Sequence, residues 1–125
     1  MDDAALINEL TRSFTKQLSC YRQLESLVGK ALSSVVLSRG DLSQVMSGMS
    51  EKQELLQEIT EERNTVREAA EEWQHRKKML AGTPEAAGLA SLFEETELSI
   101  KRFLKIEEQL KTYLEHIINK KESEP

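Results

Sequence analysis

INELTRSFTKQLSCYRQLESLVGKALSSV, residues 7 to 35, returns an apolar side chain to the same line every seven residues. Ile7, Phe14, Tyr21, Val28 and Val35 form that line, and Leu10, Leu18, Leu24 and Leu32 fill the seam beside it. Two turns of α-helix use about seven residues, so this spacing gathers the apolar side chains on one face. Downstream, Leu42, Met49 and Leu56 make one such line, and Val45, Ile59, Val66, Trp73 and Leu80 make its neighbour. Arg39-Gly40-Asp41 joins the two stretches. Gly40 supplies a left-handed residue to end one helix, and Asp41 supplies a side-chain oxygen to cap the next. The same three residues spell an integrin-binding tripeptide, but the two caps account for them without a receptor. The first two-thirds of the chain is therefore expected to be a long antiparallel helical hairpin.

Working outward, the first helix is expected over about residues 3–38, with Asp2 or Asp3 capping it and facing its positive end. Gly29 and Ser33-Ser34 lower its helix propensity without breaking the period. A second helix is expected over about 42–81, stopped by Gly82. Gly48 is placed there for a close approach of the first helix. Thr83-Pro84-Glu85 then reads as a helix start, with Thr83 as N-cap and Pro84 in the first helical position. The third helix, about 84–120, carries Leu89, Leu92, Phe93, Ile100, Phe103, Ile106, Leu110, Tyr113, Leu114, Ile117 and Ile118. Its apolar band is wider than one seam requires, so it can close a three-helix bundle, seal a homodimer, or offer a face to a partner helix. Residues 121–125 are expected to fray.

Composition narrows the class. The chain has 125 residues, 31 % charged and 38 % apolar, with only 5 % aromatic, which suits an all-α bundle or coiled coil in a single domain. Helices of this length bury a thin seam per residue, so the hairpin needs a third helix or a partner chain to dry it. A net charge of −5 argues against a protein that holds phosphate backbones. The cluster His75-Arg76-Lys77-Lys78 is short and adjoins Glu71 and Glu72. The single Cys20 fits a reducing compartment. The charged N-terminal residues do not read as a signal peptide, and no apolar run reaches membrane-span length. A soluble cytoplasmic protein is expected.

Chemistry-bearing patterns are sparse. Glu72-x-x-His75 has the spacing of a di-iron bundle ligand pair, but such sites need a second pair and further carboxylates. The other histidine, His116, has Tyr113 where a glutamate would stand. Lys52, Arg63 and Arg67 resemble the cationic set of a small helical mutase, yet straight heptads leave no concave pocket for a dicarboxylate. Cys20, beside Tyr21 in the seam, has no histidine nearby to activate it. No enzyme, no metal and no cofactor is expected. Lys52 and Arg63 fall within the second stripe, where a long charged side chain must pair or reach outward and can fix register at some cost in stability.

Tyr21-Arg22-Gln23-Leu24 with Leu27, the Gly40-Asp41-Leu42 turn, and Glu51-Lys52-Gln53-Glu54-Leu55-Leu56 followed by Ile59 and Arg63 resemble the FlgN family of flagellar export chaperones and its FliT-type relatives. The resemblance covers roughly residues 15 to 65. It implies structural roles for Tyr21, Asp41, Lys52, Leu55, Leu56 and Arg63. It further implies a cytoplasmic protein that holds the helical C-terminal segments of hook–filament junction or cap proteins, and hands them to the export apparatus. In that family the C-terminal amphipathic helix meets the client, which maps here onto Phe103, Ile106, Leu110, Tyr113, Leu114 and Ile117. The chain departs from the FlgN pattern at Ile106-Glu107-Glu108-Gln109-Leu110, which lacks an expected asparagine; Phe103-Leu104-Lys105-Ile106 leans toward the FliT type. A homodimeric coiled-coil scaffold with no client is the alternative that the stripes allow.

Overall fold

The computed structural model describes residues 2–123, and these form an all-α bundle of four helices: α1 (Asp3–Leu37), α2 (Ser43–Thr65), α3 (Arg67–Leu80) and α4 (Pro84–Ser123). Part of the tail expected to fray, residues 124 and 125, lies outside the described residues, and α4 itself continues to Ser123. Asp2 caps α1, its Oδ1 accepting from the Ala5 N–H at 2.7 Å. At the other end the Gly40 N–H reaches the Val35 carbonyl at 2.9 Å, with Gly40 at φ 115° and Arg39 at φ 58°. This left-handed pair satisfies carbonyls that the ending helix would otherwise leave open. The expected cap at Asp41 is displaced: Leu42 is the N-cap of α2 and no side chain caps it, while Asp41 just before it accepts from the Ser43 hydroxyl and from the Ser43 N–H at 2.9 Å, which hold its carboxyl below the usual range.

The second half of the expected hairpin is two helices in line. Val66 leaves helical geometry at φ −101° and ψ 9°, although its N–H still reaches the Glu62 carbonyl at 3.2 Å. Thr60 and Thr65 donate their hydroxyls to the carbonyls of Leu56 and Glu61, at 3.0 and 2.8 Å. Such back-bonding by threonine competes with the regular ladder and bends helices. Thr83 caps α4 as expected: it accepts the Ala86 N–H at 3.2 Å and donates to the Leu80 carbonyl at 2.9 Å.

The chain runs up α1, down α2 and α3, and up α4, so that α4 lies parallel to α1. Backbones of α2 and α4 each pack along α1, whereas α2 and α4 meet each other chiefly through side chains. Gly48 allows α2 to approach α1 closely, since a Cβ there would stand 3.2 Å from Leu27 Cδ1. Two apolar clusters fill the interior. One joins Leu6, Ile7 and Leu10 to Val66, Ala69, Trp73, Ala86 and Leu89. The other joins Cys20, Tyr21, Leu24, Val28 and Ala31 to Leu55, Ile59, Phe103 and Leu110. Between them lies a polar waist of buried Ser13, Gln17, Glu62, Thr96 and Ser99.

The second stripe needs correction. The seam is Val45, Lys52, Ile59, Val66, Trp73 and Leu80 with Gly48, Leu55, Glu62, Ala69 and Arg76, so the companion line is not Leu42, Met49 and Leu56. Met49 is 53 % and Leu56 38 % exposed. Arg63, which shares their line, is exposed too; the charge buried in this seam is its neighbour Glu62.

Candidate partner-binding groove

Because α2–α3 and α4 each pack backbone-close along α1 but meet each other chiefly through side chains, a trough runs along their seam with α1 as its floor. It holds an open groove of about 880 Å³. Phe14, Gln17 and Tyr21 form the floor, Thr96 and Ile100 line the α4 side, and Thr60, Arg63, Asn64, Arg67, Ala70, Glu71 and Gln74 line the opposite wall. Heptad geometry sets this division: residues one line over from the seam turn toward α4, and those on the opposite flank turn away. That far flank carries Glu51, Glu54, Glu58 and Glu61. Burial pushes the Tyr21 phenol above its usual range, although the Arg63 guanidinium beside its hydroxyl acts in the other sense. Along the trough, Lys52 pairs with Glu107 and so ties α2 to α4.

The expected client-contacting residues divide between interior and rim. Phe103 and Leu110 are 4 % and 8 % exposed and belong to the core with Tyr21, Leu24 and Leu55. Ile106 and Leu114 pack partly against that cluster. Ile117 lies against the turn between α1 and α2, 3.7 Å from where a Cβ on Gly40 would stand. Tyr113 is half-buried and borders a shallow depression with His116 on the outer face of α4. The wide apolar band is therefore largely consumed within the bundle, and Leu104 and Ile118 are among the apolar side chains that α4 leaves exposed. Of the residues carrying the family resemblance, Leu55 is core, Leu56 is half-exposed, Asp41 stands one residue before the N-cap and bonds Ser43, and Tyr21 and Arg63 meet in the groove.

Glu62, which the hydropathy pattern did not single out, anchors the polar waist. Its carboxylate lies 3.1 Å from Arg12 Nη1 and 3.5 Å from Lys16 Nζ. The Arg12 contact is an ion pair without an aligned hydrogen bond to Oε1. Burial pushes the carboxyl up, but the Ser13 hydroxyl, Arg12 and Lys16 outweigh burial and hold it below the usual glutamate range. A depressed folded-state pKa contributes stability that is complete above the unfolded value, roughly 4.3, and is lost as pH falls through the folded value. Glu62→Gln is thus expected to flatten the acid limb of the stability curve. Because Arg12 and Lys16 are more than half exposed, its cost at pH 7 is expected to be only about 1 kcal/mol. Urea melts of both proteins between pH 3 and 7 check this, and parallel curves would contradict it.

On the other side of the waist, Glu25 accepts from Ser99 Oγ at 3.1 Å and from Arg102 Nε at 2.9 Å. Cys20 is buried against α2, its thiol donating to Glu58 at 3.6 Å, and burial followed by the Glu58 charge raises its pKa. Glu72 pairs with Arg76, which also reaches Asp3 at 3.1 Å, so this glutamate is engaged in tying α3 to the start of α1. Among the described residues no cluster of histidine, cysteine and carboxylate has metal-binding geometry, and no helix is long and apolar enough to cross a membrane. Comparison of the chain with family models, with curated proteins and with solved structures gives no match.

Proposed function

We propose that the chain is a flagellar type III export chaperone, which holds the helical C-terminal segments of hook–filament junction or cap proteins before secretion. The observation that supports this most is the open trough between α2–α3 and α4. A bundle with an open groove along α2–α3 is suited to receiving a helix, which can lay an apolar stripe onto Phe14, Tyr21 and Ile100. Tyr21 and Arg63, two residues of the stretch that resembles the FlgN family, lie side by side in that groove. Covering a client's apolar stripe lowers its tendency to self-assemble, and burial at about 25 cal/mol per Å² supplies the driving force. Ordering and association costs leave a releasable affinity.

The test is co-expression with C-terminal segments of hook-junction and cap proteins, followed by titration calorimetry on the purified partners. A one-to-one complex with one of these segments is expected. Failure to bind any of them, together with a stable homodimer by analytical ultracentrifugation, would instead make the chain a structural spacer.

A further inference from the structure

We infer that the trough takes one amphipathic helix of a partner protein whose apolar stripe is flanked by acidic residues. This rests on the partner-holding reading above and gives that partner a chemistry. Its first support is shape. The wall from Thr60 to Gln74 spans about 21 Å at the helical rise, while the α4 side is lined by Thr96 and Ile100 about one turn apart, so a partner helix of some four turns would lie along α2–α3 and meet α4 near its middle. A helix there would complete a four-helix arrangement, with α1 touching both flanking helices and the guest on the open side.

Charge supplies the second support. Arg63 and Arg67 stand one turn apart on the same wall, and neither has a carboxylate within 4 Å among the described residues. Arg67 donates to Asn64 Oδ1 at 2.7 Å, and Arg63 adjoins the neutral Tyr21 hydroxyl. Of the other arginines, Arg12, Arg22, Arg76 and Arg102 have acidic partners and Arg39 lies in the turn after α1, whereas several surface lysines, Lys78 among them, also stand without a carboxylate within 4 Å among the described residues. Glu71, one turn beyond Arg67, is the single carboxylate lining the groove, so the two guanidinium groups leave this wall with a positive balance, which favours a guest that brings carboxylates to the edge of its stripe. Beyond Arg63 the same line of α2 continues through exposed Leu56 and Met49, so the surface changes from cationic to apolar along its length. The opposite flank of α2, with four glutamates, repels the same guest.

The probe is a fluorescein-labelled amphipathic peptide of about four helical turns, its leucine stripe flanked by glutamates, and a twin in which lysines replace those glutamates. Fluorescence anisotropy with the full chain is expected to show the acidic peptide binding about tenfold tighter or more than the basic one. The double variant Arg63→Glu, Arg67→Glu is expected to reverse that order. Lys78→Glu, an exposed cation of α3 that does not line the groove, is expected to leave it unchanged. Circular dichroism of each variant guards against a folding defect. Equal binding of both peptides, or a preference untouched by the double variant, overturns the inference, as does a homodimer that the double variant dissolves. Flagellar segments that bind regardless of the double variant would leave the chaperone reading standing and remove this one. Acidic-peptide binding without any flagellar segment would do the reverse.

Discussion

Replacing Phe103 by alanine is expected to remove about 3–5 kcal/mol of stability, the usual cost of emptying an aromatic side chain from a packed core. Phe103 is 4 % exposed, with its ring centroid 6.4 Å from that of Tyr21, and it shares a cluster with Leu24, Leu55, Ile59 and Leu110. It is the largest side chain that α4 contributes to that cluster. Total stabilities of single domains run to about 5–15 kcal/mol, and the variant therefore sits near its unfolding limit. Urea melts followed by far-ultraviolet circular dichroism measure the effect. A loss below about 1 kcal/mol would mean that α4 does not pack on α1 as described. Leu110→Asp is expected to fail in the same way, because it places a carboxylate within this cluster. Loss of partner binding in that variant would report unfolding and would say nothing of a contact surface.

Trp73→Ala carries a comparable expectation, about 3–5 kcal/mol, but in the other cluster. The indole is buried, with its ring 6.3 Å from that of Phe93, which in turn meets Phe14 edge-on at 4.6 Å. Phe103 and Trp73 share no neighbour, since the polar waist lies between them, so the two losses are expected to add. The sum approaches the whole stability of such a domain, and the double variant is expected to be unfolded in dilute buffer. Trp73 is the chain's single tryptophan and doubles as a local probe. In Phe103→Ala, its fluorescence and the helical signal are expected to melt together, because α1 runs unbroken through both clusters. Separate midpoints would show that the waist divides the bundle into independent units.

The helix ends were legible because each is a local matter. Asp2, Gly40, Thr83 and Pro84 act within a few residues of themselves, and each does at its place what its chemistry requires. The first stripe was legible because its lines are filled by large apolar side chains. The second stripe misled for an equally physical reason. Its companion line is Gly48, Leu55, Glu62, Ala69 and Arg76, where close approach, ion pairing and small size replace hydrophobicity, while the neighbouring line carries Met49 and Leu56. Hydropathy alone selects the wrong one. The break at Val66 was hidden because valine fits the heptad line, and the back-bonding of the neighbouring Thr65 hydroxyl leaves no mark on hydropathy. The groove was beyond reach as well, since it depends on α2 and α4 both choosing α1, and no single helix records that choice.

The buried thiol of Cys20 has a practical consequence for watching this molecule at work. It faces α2 beside a carboxylate and is held in its unreactive protonated form by burial and by that charge. Alkylation by a maleimide therefore has to wait until α2 lifts from α1, and the modification rate becomes a clock for that separation. With a single cysteine in the chain, the clock needs no engineering and has one hand to read.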